Sequence, residues 1–177
     1  MKRKVAILIV CIALQPLFTS ALFSDASNIL IENCDEIIRF SGIQAVRIQK
    51  GDNIEYANPT YNDGDWKLIS LPSDWNRHFP GYDGICWYRI RVRFPSNLPA
   101  HSIGIMLGVI SDVDELYFNG VKIASSGSFP PNRKSCYDKI RVYEIPTILI
   151  RPGRENVFAL RVASLFPTNS GPYAGEF

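Results

Sequence analysis

Apolar and polar residues alternate in short runs along most of the chain, and Gly, Pro, Asn and Asp separate these runs. The clearest run is WYRIRVRF, residues 87–94, in which apolar residues at even-numbered positions share one face and three arginines share the other. A period of two residues is typical of a half-buried β-strand. The run therefore predicts a strand whose even-numbered residues lie in the core, while Arg89, Arg91 and Arg93 face solvent or a partner carboxylate.

Helical periodicity is nearly absent, so the other runs also predict strands. The expected strands are Ile37–Phe40, Ala45–Gln49, Trp66–Ser70, Trp87–Phe94, Ser102–Leu107, Glu115–Phe118, Val121–Ala124, Val142–Ile145 and Asn156–Val162. Many short strands with turn residues between them are typical of an all-β sandwich or barrel.

An Asn-Gly pair, Asn119-Gly120, separates two of these runs and predicts a hairpin. A two-residue type I′ turn needs positive φ at both central positions, which Asn and Gly tolerate. The loop that follows, SSGSFPPNRKSCYDK at 125–139, is long for a connection without secondary structure. Loops of this length are usually functional or disordered. We expect an ordered loop at the rim of a binding or docking surface, held to the body by Phe129 and Tyr137.

The N-terminal residues read as a secretory leader. Three basic residues precede an apolar run at 5–14, and small residues follow at 19–21. This order of segments is typical of a cleaved signal peptide, and the run is short for a membrane span. The sequence predicts a signal peptide at 1–21 and one exported domain at 22–177, in the periplasm or cell envelope. The alternative is an uncleaved N-terminal anchor.

The net charge and the cysteine spacing limit the kinds of partner and metal ion that the chain is expected to bind. Without the three basic residues of the leader, 16 of the 19 Lys and Arg residues remain against 17 acidic residues. Nucleic-acid binding would need a basic surplus, so we expect no nucleic-acid partner. Cys34, Cys86 and Cys136 follow no zinc-binding spacing, and their odd number leaves one thiol over if two pair. Cys86, beside Trp87 in an apolar strand, is interpreted as a buried thiol.

Aromatic residues in the loop DWNRHFPGYDG, residues 74–84, are candidates for ligand binding. Sugar rings stack on Trp or Tyr, and neighbouring polar groups then hold the hydroxyls. The candidate ligand-binding residues of this loop are Trp75, Arg77, His78, Tyr82 and Asp83. The alternative for Trp75 is that it plugs the end of the sandwich. Trp66 and Trp87 lie on strands and are expected in the core.

Three carboxylates, Asp112, Asp114 and Glu115, stand at the entry to the hairpin. Asp112 and Asp114 could pair with Arg89 or Arg141 inside the sandwich, or hold a structural Ca²⁺ ion with backbone carbonyls. Catalysis is disfavoured because alternation sends neighbouring residues to opposite faces. The sequence also has no GxSxG nucleophile motif and no histidine in a catalytic setting. We therefore expect no enzymatic activity and no cofactor apart from that Ca²⁺.

Five segments together resemble the galactose-binding-like jelly-roll family. They are GDNIEYANPTYNDGDWKLISLPSDW (51–75), YDGICWYRIRVRFP (82–95), ISDVDELYFNGVKIASSGSFPP (110–131), KIRVYEIP (139–146) and LIRPGRENVFALRV (149–162). Domains of this kind accompany glycoside hydrolases such as β-galactosidases and form the N-terminal domains of bacterial envelope sensors. The resemblance is clearest over 51–162. The chain departs from the family pattern at Gly42, which lacks a following Trp, at Cys136, and after GPYAG, where a last strand is missing.

The resemblance implies a two-sheet antiparallel β-sandwich whose end loops often bind glycans, although many relatives only support a neighbouring domain. It also implies that Arg141 and Tyr143 occupy family positions at the ligand site or serve the structure. We therefore expect an exported, non-catalytic module that binds a carbohydrate or other small ligand, as the sensory part of a bacterial envelope protein. The alternative is an accessory jelly-roll domain of a glycoside hydrolase or esterase. Either would be the N-terminal module of a longer protein, with a downstream domain as its partner.

Overall fold

The structure is a computed structural model that describes residues 5–8, 28–32, 34, 44–165 and 170–174. The strands are β1 (Val5–Leu8), β2 (Asn28–Leu30), β3 (Gln44–Lys50), β4 (Lys67–Ser70), β5 (Ile85–Arg93), β6 (Ser102–Ser111), β7 (Val113–Phe118), β8 (Val121–Ser126), β9 (Ile140–Ile145), β10 (Glu155–Ala163) and β11 (Gly171–Ala174). Short 3₁₀ helices cover Ile54–Ala57, Trp75–Arg77 and Thr147–Leu149. The predicted all-β sandwich is confirmed.

The larger sheet runs in the order β4-β3-β5-β10-β7-β8, and β2 adds to one end of β5 in parallel. The long neighbours β5, β10 and β7 pair antiparallel, with Ala159 opposite both Arg89 and Tyr117. The smaller sheet is built on β6, which pairs antiparallel with β9 and β11 and parallel with β1. A residue of a strand has only two lateral neighbours, so β1 and β11 follow one another along one side of β6 and β9 takes the other.

The alternation in β5 sorts its side chains as predicted. Tyr88, Ile90 and Val92 point between the sheets and are buried. They join a core that also contains Ile105 of β6 and Phe158 of β10. The two inner faces therefore supply the interior that period-two sequences are expected to build.

A second, smaller cluster lies on the outer face of the larger sheet. Trp87 of β5 and Tyr117 of β7 point outward there, with ring centroids 5.5 Å apart. Trp66 and Tyr56 pack over them from the segment at 51–66. Both tryptophans are buried as expected, but this segment covers them rather than the opposite sheet.

The Asn-Gly hairpin is confirmed, with φ +49° at Asn119 and +87° at Gly120. The Asn119 side chain also donates to the carbonyl of Leu149 and accepts from the amide of Val157, at 2.8 and 3.0 Å. Its turn is thereby fixed to the start of β10.

Most predicted strands appear, with shifted ends. The expected strand at Ile37–Phe40 lies outside the described residues. Residues 171–174, which composition marks as turn-rich, form β11 because they pair with the end of β6. β1 lies within the predicted signal peptide, whose other residues are not described. Among the described residues, no helix has the length and apolar character needed to span a membrane.

Candidate functional site

Trp75, the central residue of the predicted aromatic loop, is fully buried. It opens a 3₁₀ helix whose N-cap, Asp74, accepts a hydrogen bond from the amide of Asn76. Its own amide donates to the carbonyl of Ser170 at 3.0 Å, and its ring belongs to the core between the sheets. Trp75 therefore plugs the end of the sandwich and presents no face for a sugar to stack on, which corrects the prediction of a binding platform there.

Tyr82 is half-buried, and its hydroxyl is occupied by hydrogen bonds within the protein. Its hydroxyl donates to the carbonyl of Ile85 at 3.0 Å and accepts from the amide of Gly51 at 3.1 Å. Lys50 lies over its ring, with the ammonium 5.6 Å from the centroid. Of its predicted neighbours, Arg77 and Asp83 are exposed.

His78 is half-buried on the same loop, with Nε2 2.8 Å from the hydroxyl of Ser73. Burial, together with the nearby charges of Lys67 and Arg77, lowers the pKa of His78. The imidazole is therefore neutral at pH 7, and it serves the loop as a hydrogen-bonding group.

Arg141 and Asp114 form a fully buried ion pair, which is one of the structural alternatives that the sequence left open. Arg141 Nε donates to Asp114 Oδ1 at 2.7 Å, and Tyr143 donates to Oδ2 at 2.7 Å. The other Arg141 donors reach the carbonyls of Cys136, Lys139 and Asp112. Burial raises the pKa of Asp114, although the Tyr143 and Arg141 donors favour its ionised form. Arg141 therefore holds the loop against β7 and is closed to a ligand, which corrects its placement at a binding site.

Asp112 also faces inward. Its Oδ1 accepts from the Ser135 hydroxyl at 2.8 Å and its Oδ2 from the Leu165 amide at 2.7 Å. All four carboxylate oxygens of Asp112 and Asp114 thus have protein donors. No group of three or more metal-ligating side chains occurs within the described part of the chain.

The loop at 125–139 is ordered, as expected. Its amide at Cys136 donates to the carbonyl of Asp112, and Ser128 pairs with Lys134 across the loop. Phe129 packs under Arg161, with the guanidinium carbon 4.0 Å from the ring centroid. Tyr137 is exposed, so it does not hold the loop as predicted. Cys86 and Cys136 are buried free thiols, as was expected for Cys86, and Cys34 is also buried.

The arginines on the outer face of the larger sheet gather around one carboxylate. Asp63, on the segment at 51–66, accepts from Arg89 Nε at 2.7 Å and from Arg91 Nη2 at 2.5 Å, and Arg47 Nε lies 3.8 Å away. Burial disfavours ionisation of Asp63, but hydrogen bonds from Arg91 and Arg89 outweigh it and lower its pKa. Arg91 also donates to Glu155 at 2.8 Å.

Beside this cluster lies a pocket of ≈ 510 Å³, which we call the arginine pocket. Its lining residues are Arg47, Pro59, Thr60, Tyr61, Asn62, Asp63, Gly64, Arg91, Arg151, Glu155 and Val157. The volume is within the range of small-molecule sites. The floor is the sheet, and the wall is the segment that also covers the aromatic cluster.

Sequence reasoning placed the arginines of β5 on one face, toward solvent or a partner carboxylate, but did not identify the pocket. Asp63 appears in the sequence only as part of an Asn-Asp-Gly-Asp turn, 26 residues before Arg89. The row of arginines on β5 could have indicated this site, because charged side chains on a strand face need partners of opposite charge when another segment covers that face.

No family model matches the chain, and no curated protein matches it. Among solved structures, it is similar to a glycosyl hydrolase family 2 member from Bacteroides cellulosilyticus DSM 14838, with 23% identity and a TM-score of 0.59 over 72% of this chain and 18% of that one. A family 2 beta-glucuronidase gives 19% identity and a TM-score of 0.60, over 72% of this chain and 16% of the other. A beta-glycosidase from Bacteroides vulgatus gives 24% and 0.56, over 73% and 18%.

These likenesses show the fold. The chain spans less than a fifth of the length of these enzymes. It corresponds to one β-sandwich portion of a much larger protein in each case.

Proposed function

We propose that this chain is a non-catalytic accessory β-sandwich domain of a carbohydrate-active protein of the glycoside hydrolase type. The observation that carries the proposal is the structural match to a small part of several family 2 glycoside hydrolases. In such a protein the domain supports a catalytic domain and contributes contacts to the carbohydrate.

The carboxylates at the hairpin entry favour a non-catalytic role. A glycosidase needs one carboxyl to transfer a proton and a second to act on the sugar or on water. Asp112 and Asp114 accept hydrogen bonds from inside the protein through every oxygen. Glu115 accepts from Lys122 and Arg161, each at 2.9 Å. These groups are therefore held as structural anions.

The second candidate is an exported recognition module of an envelope sensor. The observation that favours it is the leader-like order of basic, apolar and small residues at 1–21. Both candidates share a recognition role, and they differ in the domain that would follow the sandwich.

The reading frame beyond the codon for Phe177 distinguishes the two candidates. A glycosidase catalytic domain supports the accessory role, whereas a membrane-spanning helix with a signalling domain replaces it with the sensor. A stop codon immediately after Phe177 would contradict both.

An activity assay tests the non-catalytic part of the proposal. The 177-residue chain should release no fluorophore from 4-methylumbelliferyl galactoside, glucoside or glucuronide above a buffer blank. Any hydrolysis above the blank would overturn the proposal, and hydrolysis that survives Asp114→Asn and Glu115→Gln would show an active site elsewhere in the chain.

A further inference from the structure

We propose that the arginine pocket binds an acidic carbohydrate through the carboxylate or sulfate group of the sugar. The inference rests on the proposed function in taking a carbohydrate as the ligand. The acidic character of that ligand comes from the charges of the pocket.

Positive charge exceeds negative charge at this site. Among the lining residues, Asp63 and Glu155 are the carboxylates and Arg47, Arg91 and Arg151 are the guanidinium groups, and Arg89, which is buried outside the lining, adds a further positive charge beside Asp63. Arg91 uses two of its five N–H donors on these carboxylates. An anion that enters the pocket therefore meets a net positive charge and free guanidinium donors.

The side chain of Arg151 is available to bind an anionic ligand. Its side chain is exposed at the pocket, and it forms no ion pair with any residue of the described chain. Its backbone is fixed, because its amide donates to Asn156 Oδ1 at 2.8 Å and its carbonyl accepts from Asn156 Nδ2 at 3.0 Å. A guanidinium on a fixed turn suits bidentate recognition of a carboxylate or sulfate.

The rest of the lining suits a sugar ring. Tyr61 is half-buried, and its ring is supported by Tyr56 at 5.1 Å between centroids. With Pro59, and above the buried Val157, it offers an apolar surface for the CH face of a pyranose. Thr60 and Asn62 are exposed at the rim and supply hydroxyl and amide groups for the sugar hydroxyls. The pocket therefore combines an anion site with a stacking surface.

The experiment is an NMR titration of the ¹⁵N-labelled 177-residue chain with three glycosides that differ at C6. The probes are methyl β-D-glucuronide, methyl β-D-glucoside 6-sulfate and methyl β-D-glucoside. We expect the two acidic probes to shift amide signals at 59–64 and 151, and the neutral probe to bind at least about tenfold more weakly. The ratio of the carboxylate and sulfate affinities identifies the preferred group.

Arg151→Gln tests the site with little risk to the fold, because the side chain is exposed. It should weaken binding of the preferred acidic probe about five- to tenfold. Arg154→Gln is the matched control, since Arg154 is exposed on the same turn but does not line the pocket, and it should leave the affinity within about twofold.

Three results would overturn the inference. Equal binding of the neutral and acidic probes, or equal effects of the two variants, would leave carbohydrate recognition in place without an anion site. The third is no binding of any probe. The accessory role is judged separately, by the reading frame and the hydrolysis assay.

Discussion

At the scale of single residues, Arg89 joins the covering segment at 51–66 to the larger sheet. Its guanidinium is buried, pairs with Asp63 and donates to the carbonyls of Tyr56 and Asn58. Arg89→Met would leave one oxygen of the buried Asp63 carboxylate without its donor and several carbonyls without theirs. We expect a loss of about 3–5 kcal/mol in the free energy of unfolding, measured by urea denaturation.

Arg93→Met is the matched control, because Arg93 lies on the same strand and on the same face but is exposed. It should change the free energy of unfolding by less than about 0.5 kcal/mol. Similar losses in the two variants would show that Arg89 holds no buried network.

The lowered pKa values predict an acid-sensitive fold. Despite their burial, Asp63 is stabilised as an anion by Arg91 and Arg89 and Glu115 by Lys122 and Arg161, and Asp52 is stabilised by a hydrogen bond from Arg161. A carboxyl whose pKa is lower in the folded state contributes stability above its unfolded value, and that contribution is lost as the pH falls through the folded pKa. Asp114, whose pKa is raised, acts in the opposite direction. We expect the three lowered carboxyls to outweigh Asp114, so that the free energy of unfolding falls below about pH 4.

Urea midpoints measured at pH 6, 4 and 3 check this expectation. Asp63→Asn should flatten the dependence on pH, because it removes one of the three titrating groups. A midpoint that stays constant or rises from pH 6 to 3 would contradict the assignment of these carboxylates.

At the scale of elements, alternation predicted the faces of β5 but not what covers each face. Trp87 was expected in the core because it is large and apolar, and it is buried. Yet it points to the outer face with the arginines, under a segment whose packing no local pattern reveals. β2 and β11 escaped prediction because strands of three or four residues carry too short a pattern, and pairing with β5 and β6 defines them.

The candidate site shows the same limit. Alternation placed Arg91 on a face with its neighbours, whereas its partner Asp63 belongs to a turn that is distant in sequence. Trp75 was proposed as a stacking platform because its loop is rich in Gly and Pro. Its burial depends on Ser170 and the opposite sheet, which are contacts across the whole sandwich.

The ordered loop after the hairpin depends on close packing at Gly127. This residue has φ +77°, and an added Cβ would lie 2.4 Å from the carbonyl of Lys134 and 2.5 Å from Val113 Cγ1. Gly127→Ala would therefore suffer both backbone strain and overlap. We expect a loss of roughly 2–4 kcal/mol, read from thermal or urea unfolding.

Gly81→Ala separates these two effects. Gly81 has φ +70°, but an added Cβ there would meet no atom within 4 Å. It should lose only the backbone part, about 1 kcal/mol. If Gly81→Ala costs as much as Gly127→Ala, the loop at 125–139 is not packed on Val113 as described.

At the scale of the whole molecule, the smaller sheet combines strands from distant parts of the chain. β6 receives β9 on one side and both β1 and β11 on the other. β1 pairs with Ser102–Ile105 and lies within the predicted signal peptide. Removal of residues 1–21 would therefore uncover one side of β6 over these four residues while leaving both partners of Val109 in place.

We expect residues 22–177 to fold without the leader, because the core side chains that the structure describes, from Ile29 to Val162, all lie within this range. Amide hydrogen exchange within Ser102–Ile105 should become at least about tenfold faster than in the 177-residue chain, while exchange at Val109 and Ile110 stays unchanged. Loss of protection at Val109 as well would mean that β1 is an integral part of the sandwich. In that case the N-terminal segment would act as a structural strand, and the prediction of a cleaved leader would be wrong. Faster exchange confined to Ser102–Ile105 would instead indicate a short open edge of β6, where a further strand of the same protein can pair.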